Sequence, residues 1–241
     1  MQQDTLFVSA TEVPSTVPAL PSVDIYGPVH RGLRWALTSL LTQMGTTDFA
    51  DGAQAAETLD DLEGVLYLCA SHLAHENRHI HPAIARRRPE LAARLDAEHV
   101  EHERAIDGLR KASARVAAAS PADVVALGRA LYLLYATFVG ENLVHMTEEE
   151  TVVQPLLDAS YDPAELHALE AQIVGSIGPE EMAAFTKVMV PGNGRDFRVA
   201  MLSGAKAAMP PEAFRALLRA CRPNLSEADW IDLTTRLEVA V

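Results

Sequence analysis

Two stretches of this chain repeat one pattern: residues 72–82 read HLAHENRHIHP, and residues 145–155 read HMTEEETVVQP. Each begins with a histidine, carries a glutamate four residues later and ends on a proline. On an α-helix, residues four apart lie one turn apart on the same face, so each stretch presents an imidazole and a carboxylate together. The repeat therefore predicts two helices that contribute matching polar pairs to one site.

A lone histidine precedes each pair by a similar distance. His30 lies 42 residues before His72, and His99 lies 46 residues before His145. The order along the chain is therefore His, His-x3-Glu, His, His-x3-Glu, which predicts four helices in a pseudo-twofold arrangement. In an antiparallel bundle such positions meet at a common depth in the core.

Proline and glycine residues mark the ends of the helices that this arrangement needs. Ser120-Pro121 with Asp123 predicts a capped helix start, and the repeat prolines, Pro82 and Pro155, are expected to end or kink their helices beyond the site. Four long helices are predicted, at 27–45, 54–87, 89–118 and 121–158. Shorter helices are predicted at 163–174, 179–190, 195–208, 211–221 and 227–238.

These elements predict an all-α protein in three parts. Residues 1–23, which contain several prolines, are expected to form a flexible leader. Residues 24–159 are expected to form an antiparallel four-helix bundle, because short connections join neighbouring helices. Residues 160–241 are expected to form a helical C-terminal extension that holds no catalytic motif.

Composition restricts the possible partners and compartment. A formal net charge of −13 disfavours nucleic acid and anionic membranes as partners. The N-terminus has no basic, apolar signal sequence, and we find no apolar run long enough to span a bilayer. Cys69 and Cys221 are far apart and form no Cys-x-x-Cys motif, so a disulfide framework is not expected. Together these features predict a cytoplasmic protein.

Buried histidines and glutamates need a reason, because burying polar or charged groups is costly unless they are paired or bind a metal. Two facing glutamates would repel each other, but two metal ions would neutralise them and allow them to act as bridges. Imidazole and carboxylate ligands suit iron, manganese or zinc, and the absence of thiolates among them argues against an iron–sulfur cluster. The repeat therefore predicts a dinuclear metal site.

The arrangement resembles the hemerythrin / HHE cation-binding family over roughly residues 24–158. In that family a four-helix bundle holds a di-iron centre on a lone histidine followed by His-x3-Glu, twice. The matching positions are His30, His72, Glu76, His99, His145 and Glu149. The resemblance implies two iron ions with an oxo or hydroxo bridge, with zinc or manganese as alternatives, and open positions for O2, NO or peroxide.

One position departs from the oxygen-carrying members of that family. They supply a second histidine one turn after the third-helix ligand, whereas this chain has Glu103 there, beside His102. This difference disfavours simple O2 carriage and leaves open whether Glu103 or His102 is an additional ligand. The spacing looks more like the bacterial iron-centre-repair and hemerythrin-like group, so iron donation or repair is an alternative function.

A second interpretation uses His75-Glu76-x-x-His79, a literal HExxH motif on a helix. Here His75 and His79 would bind zinc and Glu76 would act as the general base of a hydrolase. This interpretation leaves the lone histidines and the second His-x3-Glu pair unexplained, so we rank it below the dinuclear site. The remaining histidines, His81, His102 and His167, are interpreted mainly as structural or surface residues, and His81 is expected to point away from His72.

Three further residues lie one turn before a site position. Tyr26 precedes His30 and Glu141 precedes His145, so both are candidates to face the metal pocket. Cys69 precedes His72 and is expected to be a core residue.

The site chemistry allows several functions: a sensor or carrier of O2 or NO, an oxidoreductase that acts with O2 or peroxide, or an iron donor. The partners expected are these small molecules and a second copy of the chain, in a homodimer. A sealed apolar pocket above the metals would favour a carrier, and a polar cavity with room for an organic molecule would favour an oxidase.

Overall fold

The structure is a computed structural model that describes residues 20–239, and within that range every regular element is helical. Most of the predicted flexible leader, 1–23, lies outside the described residues. Its last residues contact the bundle: the backbone N–H and hydroxyl of Ser22 both donate to Asp158, and Val23 is buried.

The α-helices are, in chain order, α1 (Gly27–Thr46), α2 (Gly52–His75), α3 (His81–Ala85), α4 (Pro89–Ala117), α5 (Val124–Glu148), α6 (Gln154–Ser160), α7 (Pro163–Ser176), α8 (Pro179–Gly192), α9 (Arg195–Ala208), α10 (Pro211–Cys221) and α11 (Glu227–Arg236). Helix α1 packs on α2 and α5, and α4 packs on the same two helices. The four long helices thus close a ring around one apolar core, and the predicted four-helix bundle is confirmed.

Each helix that carries a His-x3-Glu pair contains a single π turn that starts at its glutamate. The turns span Glu76–Ile80 and Glu149–Val153. The N–H groups of His81 and Gln154, directly after them, donate to the carbonyls of Glu76 and Glu149, five residues back instead of four. The repeat prolines, Pro82 and Pro155, lie directly beyond, where a proline in a regular α-helix would clash with the carbonyl four residues earlier. The π turn accommodates the proline, so the helix does not end there. It continues to Ala85 in the first case and to Ser160 in the second, in line with the predicted bounds 54–87 and 121–158.

The start of the fourth long helix was predicted three residues too early. Residues 121–123 form a turn, and α5 begins at Val124. The Ser120 hydroxyl donates to the carboxylate of Asp123 at 2.7 Å and does not cap a backbone N–H of the helix. Pro121 therefore lies in this turn and not in the first turn of the helix.

Residues of the predicted C-terminal extension pack directly on the bundle through α8 and α1. The two backbones approach closely where Gly32 faces Met189 and where Gly192 faces the carbonyl of Arg31. The Asn193 side chain links the same helices, because its amide donates to the Pro28 carbonyl and its oxygen accepts from Arg31. A second apolar cluster, built from α8 to α11, lies beyond this contact.

The glycine contact predicts a sharp difference between two substitutions. A Cβ at Gly192 would lie 2.5 Å from the Arg31 carbonyl oxygen, whereas a Cβ at Gly64 would meet nothing within 4 Å. We expect Gly192→Ala to lower the free energy of unfolding by about 1–3 kcal/mol, because α8 must move away from α1. Gly64→Ala, the control on the exposed face of α2, should not lower it, because alanine is the better helix former. Urea unfolding of both variants is the measurement, and equal stabilities would contradict the contact.

The continuous helical stretch Val124–Ser160 is long and apolar enough to cross a membrane, by length and composition only. This stretch contradicts the expectation that no apolar run is long enough to span a bilayer. A mostly buried core helix of a soluble protein passes the same test, but only 28% of the apolar window is buried here. This stretch also carries His145 and Glu149 into the protein interior, as a bundle helix does.

Candidate metal centre

The structure brings all six predicted site residues together in the middle of the bundle. Their ligand atoms form two groups within 4.8 Å: His30, His72, Glu76 and Glu149 in the first, and Glu76, His99, His145 and Glu149 in the second. All six residues are buried. Because both glutamates belong to both groups, the geometry is that of two adjacent cation positions with two shared carboxylates.

The histidines of each group point the same nitrogen inward. The Nε2 atoms of His30 and His72 lie 3.1 Å apart, and those of His99 and His145 lie 3.0 Å apart. Two ligands at right angles around a metal, each with a bond of about 2.1 Å, would be separated by about 3.0 Å. The spacing of the nitrogens therefore fits cation coordination.

The glutamate oxygens provide an independent test of this fit. All four carboxylate oxygens of Glu76 and Glu149 are buried without a hydrogen-bond partner. A buried carboxylate that lacks donors is strongly unfavourable, and a bridging cation would satisfy its oxygens directly. The residues present thus fit a pair of metal ions, and they fit an ordinary polar core poorly.

The electrostatics of the pocket favour one positive charge in each half. Burial lowers the pKa of His30, but its hydrogen bond to Glu150 and the charges of Glu76 and Glu149 outweigh this effect and raise the pKa to about 8. Burial likewise opposes protonation of His145, but its contacts with Glu149 and Glu98 raise its pKa to about 10. A metal cation would meet the same favourable field in place of these protons.

Outer contacts fix the orientation of the two lone histidines, and they repeat with the pseudo-twofold pattern. His30 donates from Nδ1 to Glu150 at 2.9 Å, and His99 donates from Nδ1 to the Asn77 side-chain oxygen at 2.6 Å. Glu150 and Asn77 are the residues that directly follow the two motif glutamates. Each Nδ1 bond leaves Nε2 free to face the centre.

The two halves differ at the paired histidines. His145 donates from Nδ1 to Glu98 at 3.1 Å, and Glu98 in turn pairs with Arg94. The position equivalent to Glu98, one residue before the other lone histidine, is Val29. The second group therefore has a carboxylate support on its paired histidine that has no counterpart in the first.

This asymmetry predicts a selective effect of Glu98→Ala. We expect it to weaken metal binding at the second group by about 10–100-fold, because His145 loses the contact that orients it. The control is Glu101→Ala, which removes a surface carboxylate of the same helix paired only with Arg104. The amount of bound metal is measured at increasing chelator concentration. It should fall in two separate steps for Glu98→Ala, whereas the curve of the control should match that of the wild type. Coincident curves for all three proteins would rule out the supporting role.

His81 lies against His99, which differs from the expectation that it points away from His72, although it belongs to neither ligand group. It is buried, donates from Nδ1 to Asp96 at 2.5 Å, and its ring lies 4.5 Å from that of His99. Nine residues separate His81 from His72, which in a regular α-helix places them about 180° apart around the helix axis. The π turn holds one extra residue for the same rotation, so the angle between them is that of eight steps, about 80°. A sequence reading at constant helical pitch does not contain this shift.

His102 and Glu103, the two candidates for an additional ligand, differ in their position relative to the centre. His102 is buried with its ring 4.7 Å from that of His145, and burial is the main cause that lowers its pKa to about 4. Glu103 is exposed and turned away from the centre. Neither residue belongs to the two ligand groups, so His102 is a neighbour of the second group.

Tyr26 and Glu141, the two candidates to face the metal pocket, differ in burial. Tyr26 is fully buried and its ring lies 5.2 Å from that of His30, whereas Glu141 is exposed. Burial, with the nearby charges of Glu149 and Glu76, raises the pKa of Tyr26 well above its ordinary value, so its hydroxyl keeps its proton. Cys69 is buried in the bundle core as expected, and burial raises its pKa to about 12.

The HExxH histidines face the C-terminal extension and not the centre. His75 contacts Glu181 at 2.8 Å, and both His75 and His79 contact the Ser176 hydroxyl at 3.2 Å. Within residues 20–239, neither histidine joins a group able to hold a metal. Their structural role is to attach α7 and α8 to the bundle. His167 is exposed, as predicted for a surface residue.

A cavity of about 650 Å³ lies between the bundle and the C-terminal helices. It reaches the first ligand group at His72 and Glu76, and Tyr26 lines it beside them. Most of its wall is apolar, with methionine, alanine, isoleucine and phenylalanine side chains from α7 to α9. The cavity is thus both apolar and large, a combination that neither of the two pocket types considered from sequence describes.

The comparisons with known proteins give one match. The family model described as the hemerythrin HHE cation binding domain matches residues 23–157, more than half of the chain. Neither the search of curated proteins nor that of solved structures finds a match. The matched range contains all six site residues, whereas the helices that complete the cavity lie beyond it.

Proposed function

This chain belongs to the hemerythrin HHE cation-binding family, and on that premise we propose that its centre holds two iron ions and acts as an oxidoreductase with O2 or peroxide. Glu76 and Glu149 would bind both ions. His30 and His72 would bind the first ion, and His99 and His145 would bind the second. Bound iron would supply the electrons and the open coordination positions that O2 or peroxide requires.

The observation that carries this proposal is that the large cavity reaches a histidine of only one of the two ligand groups. His72 of the first group and the shared Glu76 line it, whereas neither His99 nor His145 does. A molecule in this space of about 650 Å³ would therefore lie beside the first group. A carrier of a diatomic molecule needs no such volume, but an enzyme that oxidises an organic molecule does.

The neighbouring protein groups have definable roles in such a reaction. Tyr26 keeps its hydroxyl proton and can donate a hydrogen bond to a molecule held at the first ion. The apolar wall of the cavity favours an apolar molecule over water beside the centre. Glu150, Asn77 and Glu98 keep the ligand histidines in place.

Iron donation, the alternative function, is less well supported by the geometry. The six ligand residues are all buried, and three of the four histidines are fixed by outer hydrogen bonds. Such a shell favours retention of the metal and not its release to another protein.

The test is metal content combined with an anaerobic-to-aerobic optical titration of protein produced with added iron. We expect about two irons per chain and charge-transfer bands that change when O2 or peroxide is added to the reduced protein. Glu141→Ala, which alters an exposed carboxylate of the same helix, should behave like the wild type. A single zinc per chain with no O2-dependent band would contradict the proposal.

A further inference from the structure

We infer that the cavity between the bundle and α7 to α10 is a binding site for a neutral, elongated apolar molecule whose single polar end lies at Tyr26 and the first ligand group. This inference names the substrate class of the proposed oxidoreductase and rests on that proposal only for what the iron does to the bound molecule. Binding itself depends on the cavity, and it can be measured separately.

The size and wall of the cavity fit such a ligand. Its volume of about 650 Å³ falls within the range of about 300–1,000 Å³ in which proteins bury organic ligands. Four methionines line it: Met182, Met189, Met201 and Met209. Methionine side chains are flexible and polarizable, so they adapt to an elongated apolar molecule without fixing one shape.

One face of α9 is turned to the cavity. The lining residues of this helix are Phe197, Ala200, Met201, Gly204, Ala205 and Ala208, which follow the i, i+3, i+4, i+7 spacing of a single helical face. Several of them are small, and Ala200 and Gly204 are exposed. Because these small side chains face the cavity and not another helix, they leave room for a bound molecule.

An unpartnered hydroxyl defines the polar end. Tyr26 lines the cavity beside His72 and Glu76, and its buried hydroxyl has no hydrogen-bond partner. A buried hydroxyl without a partner is unfavourable. A hydroxyl or carbonyl at the end of an apolar molecule would pair with Tyr26, beside the first ligand group.

The charged residues of the wall select against an anionic head group. The acidic residues Asp24, Glu76 and Glu170 line the cavity, and no lysine or arginine does so within the described part of the chain. In the metal-free protein, a carboxylate would meet like charges without a lysine or arginine partner, whereas an alcohol would not. The favoured occupant is therefore a neutral amphiphile, such as a long-chain alcohol, and not a fatty acid.

The test is displacement of the dye Nile red by 1-dodecanol from the full-length protein, with Gly204→Trp and Gly64→Trp as a matched pair. A Cβ at either glycine meets nothing within 4 Å, but Gly204 lines the cavity and Gly64 lies on the exposed face of α2. We expect one saturable site in the wild type, at least tenfold weaker binding in Gly204→Trp and unchanged binding in Gly64→Trp.

Two further variants keep the test decisive. Ala200→Trp fills the same face from an exposed position and should weaken binding in the same way if Gly204→Trp does not fold. Tyr26→Phe should weaken 1-dodecanol but leave dodecane unaffected, because only the alcohol has a polar end to pair.

The outcomes separate the inference from the proposed function, because iron content is measured on the same samples. Non-saturable dye binding, unchanged affinity in both tryptophan variants at the cavity, or tighter binding of dodecanoate than of 1-dodecanol to the metal-free protein would each overturn the inference. A protein that holds two irons but binds no alcohol would overturn the inference alone. A protein that binds the alcohol but holds no iron would overturn the proposed function alone.

Discussion

Replacing Glu149 by alanine is expected to empty both metal positions, although the residue lies in only one of the two His-x3-Glu pairs. Its two oxygens belong to both ligand groups, and it is fully buried. Without it, each group would keep only two histidines and a share of Glu76. Two adjacent cations would then repel each other with a single carboxylate between them. We therefore expect iron to fall from about two per chain to well below one.

The contrast with His72→Ala makes this result specific. His72 belongs to the first group only, so its loss should remove about one iron and leave the second group occupied. Glu141→Ala is the control: it removes an exposed carboxylate from the helix that leads to Glu149, and the iron content should stay at about two per chain. Elemental analysis of the purified variants measures all three. Retention of one iron by Glu149→Ala would show that the two positions do not share this carboxylate.

Removal of the metal from the wild type is expected to lower its melting temperature by about 8–15 °C. A ligand that binds the folded chain at a concentration of about 1,000 times its Kd contributes about 4 kcal/mol. One kcal/mol corresponds to about 2–4 °C for a chain of this size. The structural cause is the set of four carboxylate oxygens that lack hydrogen-bond partners at the centre.

Calorimetric scans before and after chelation provide the measurement. Re-addition of iron should restore the original melting temperature, and chelator should not shift the Glu149→Ala variant, which has no metal to lose. An identical melting temperature for chelated and loaded wild type would indicate that the centre contributes nothing to folding stability.

The fold and the ligand groups were predictable because helical spacing maps sequence directly onto position. Four residues separate His72 from Glu76, and the same number separates His145 from Glu149, so both pairs had to share a helical face. The order of the lone histidines then required a bundle, which the structure contains. Local periodicity was sufficient for this part of the site.

The features that the sequence did not reveal depend on departures from regular helix or on distant packing. His81 was misplaced because a π turn changes the rotation of the helix, and constant pitch does not anticipate it. The supporting roles of Glu98 and Asn77 require the relative rotation of two helices. Asn77 and Glu150 each directly follow a motif glutamate, and this adjacency was a local signal that could have identified them.

The cavity was also beyond sequence reasoning, for a different reason. Its wall combines the first bundle helices with segments more than one hundred residues away, such as α9. The close approach of Gly32 and Gly192 brings these parts together, and glycine spacing alone does not identify its partner.

The α1–α8 seam has a consequence for how the protein unfolds. Phe185 and Val188 of α8 lie within the same apolar cluster as the core residues of the bundle, so loss of the C-terminal helices would expose that core to water. Helix α1 also carries His30, and Tyr26 directly precedes the helix. We therefore expect the bundle and the C-terminal helices to unfold together, so that the last third of the chain stabilises the metal centre in the bundle.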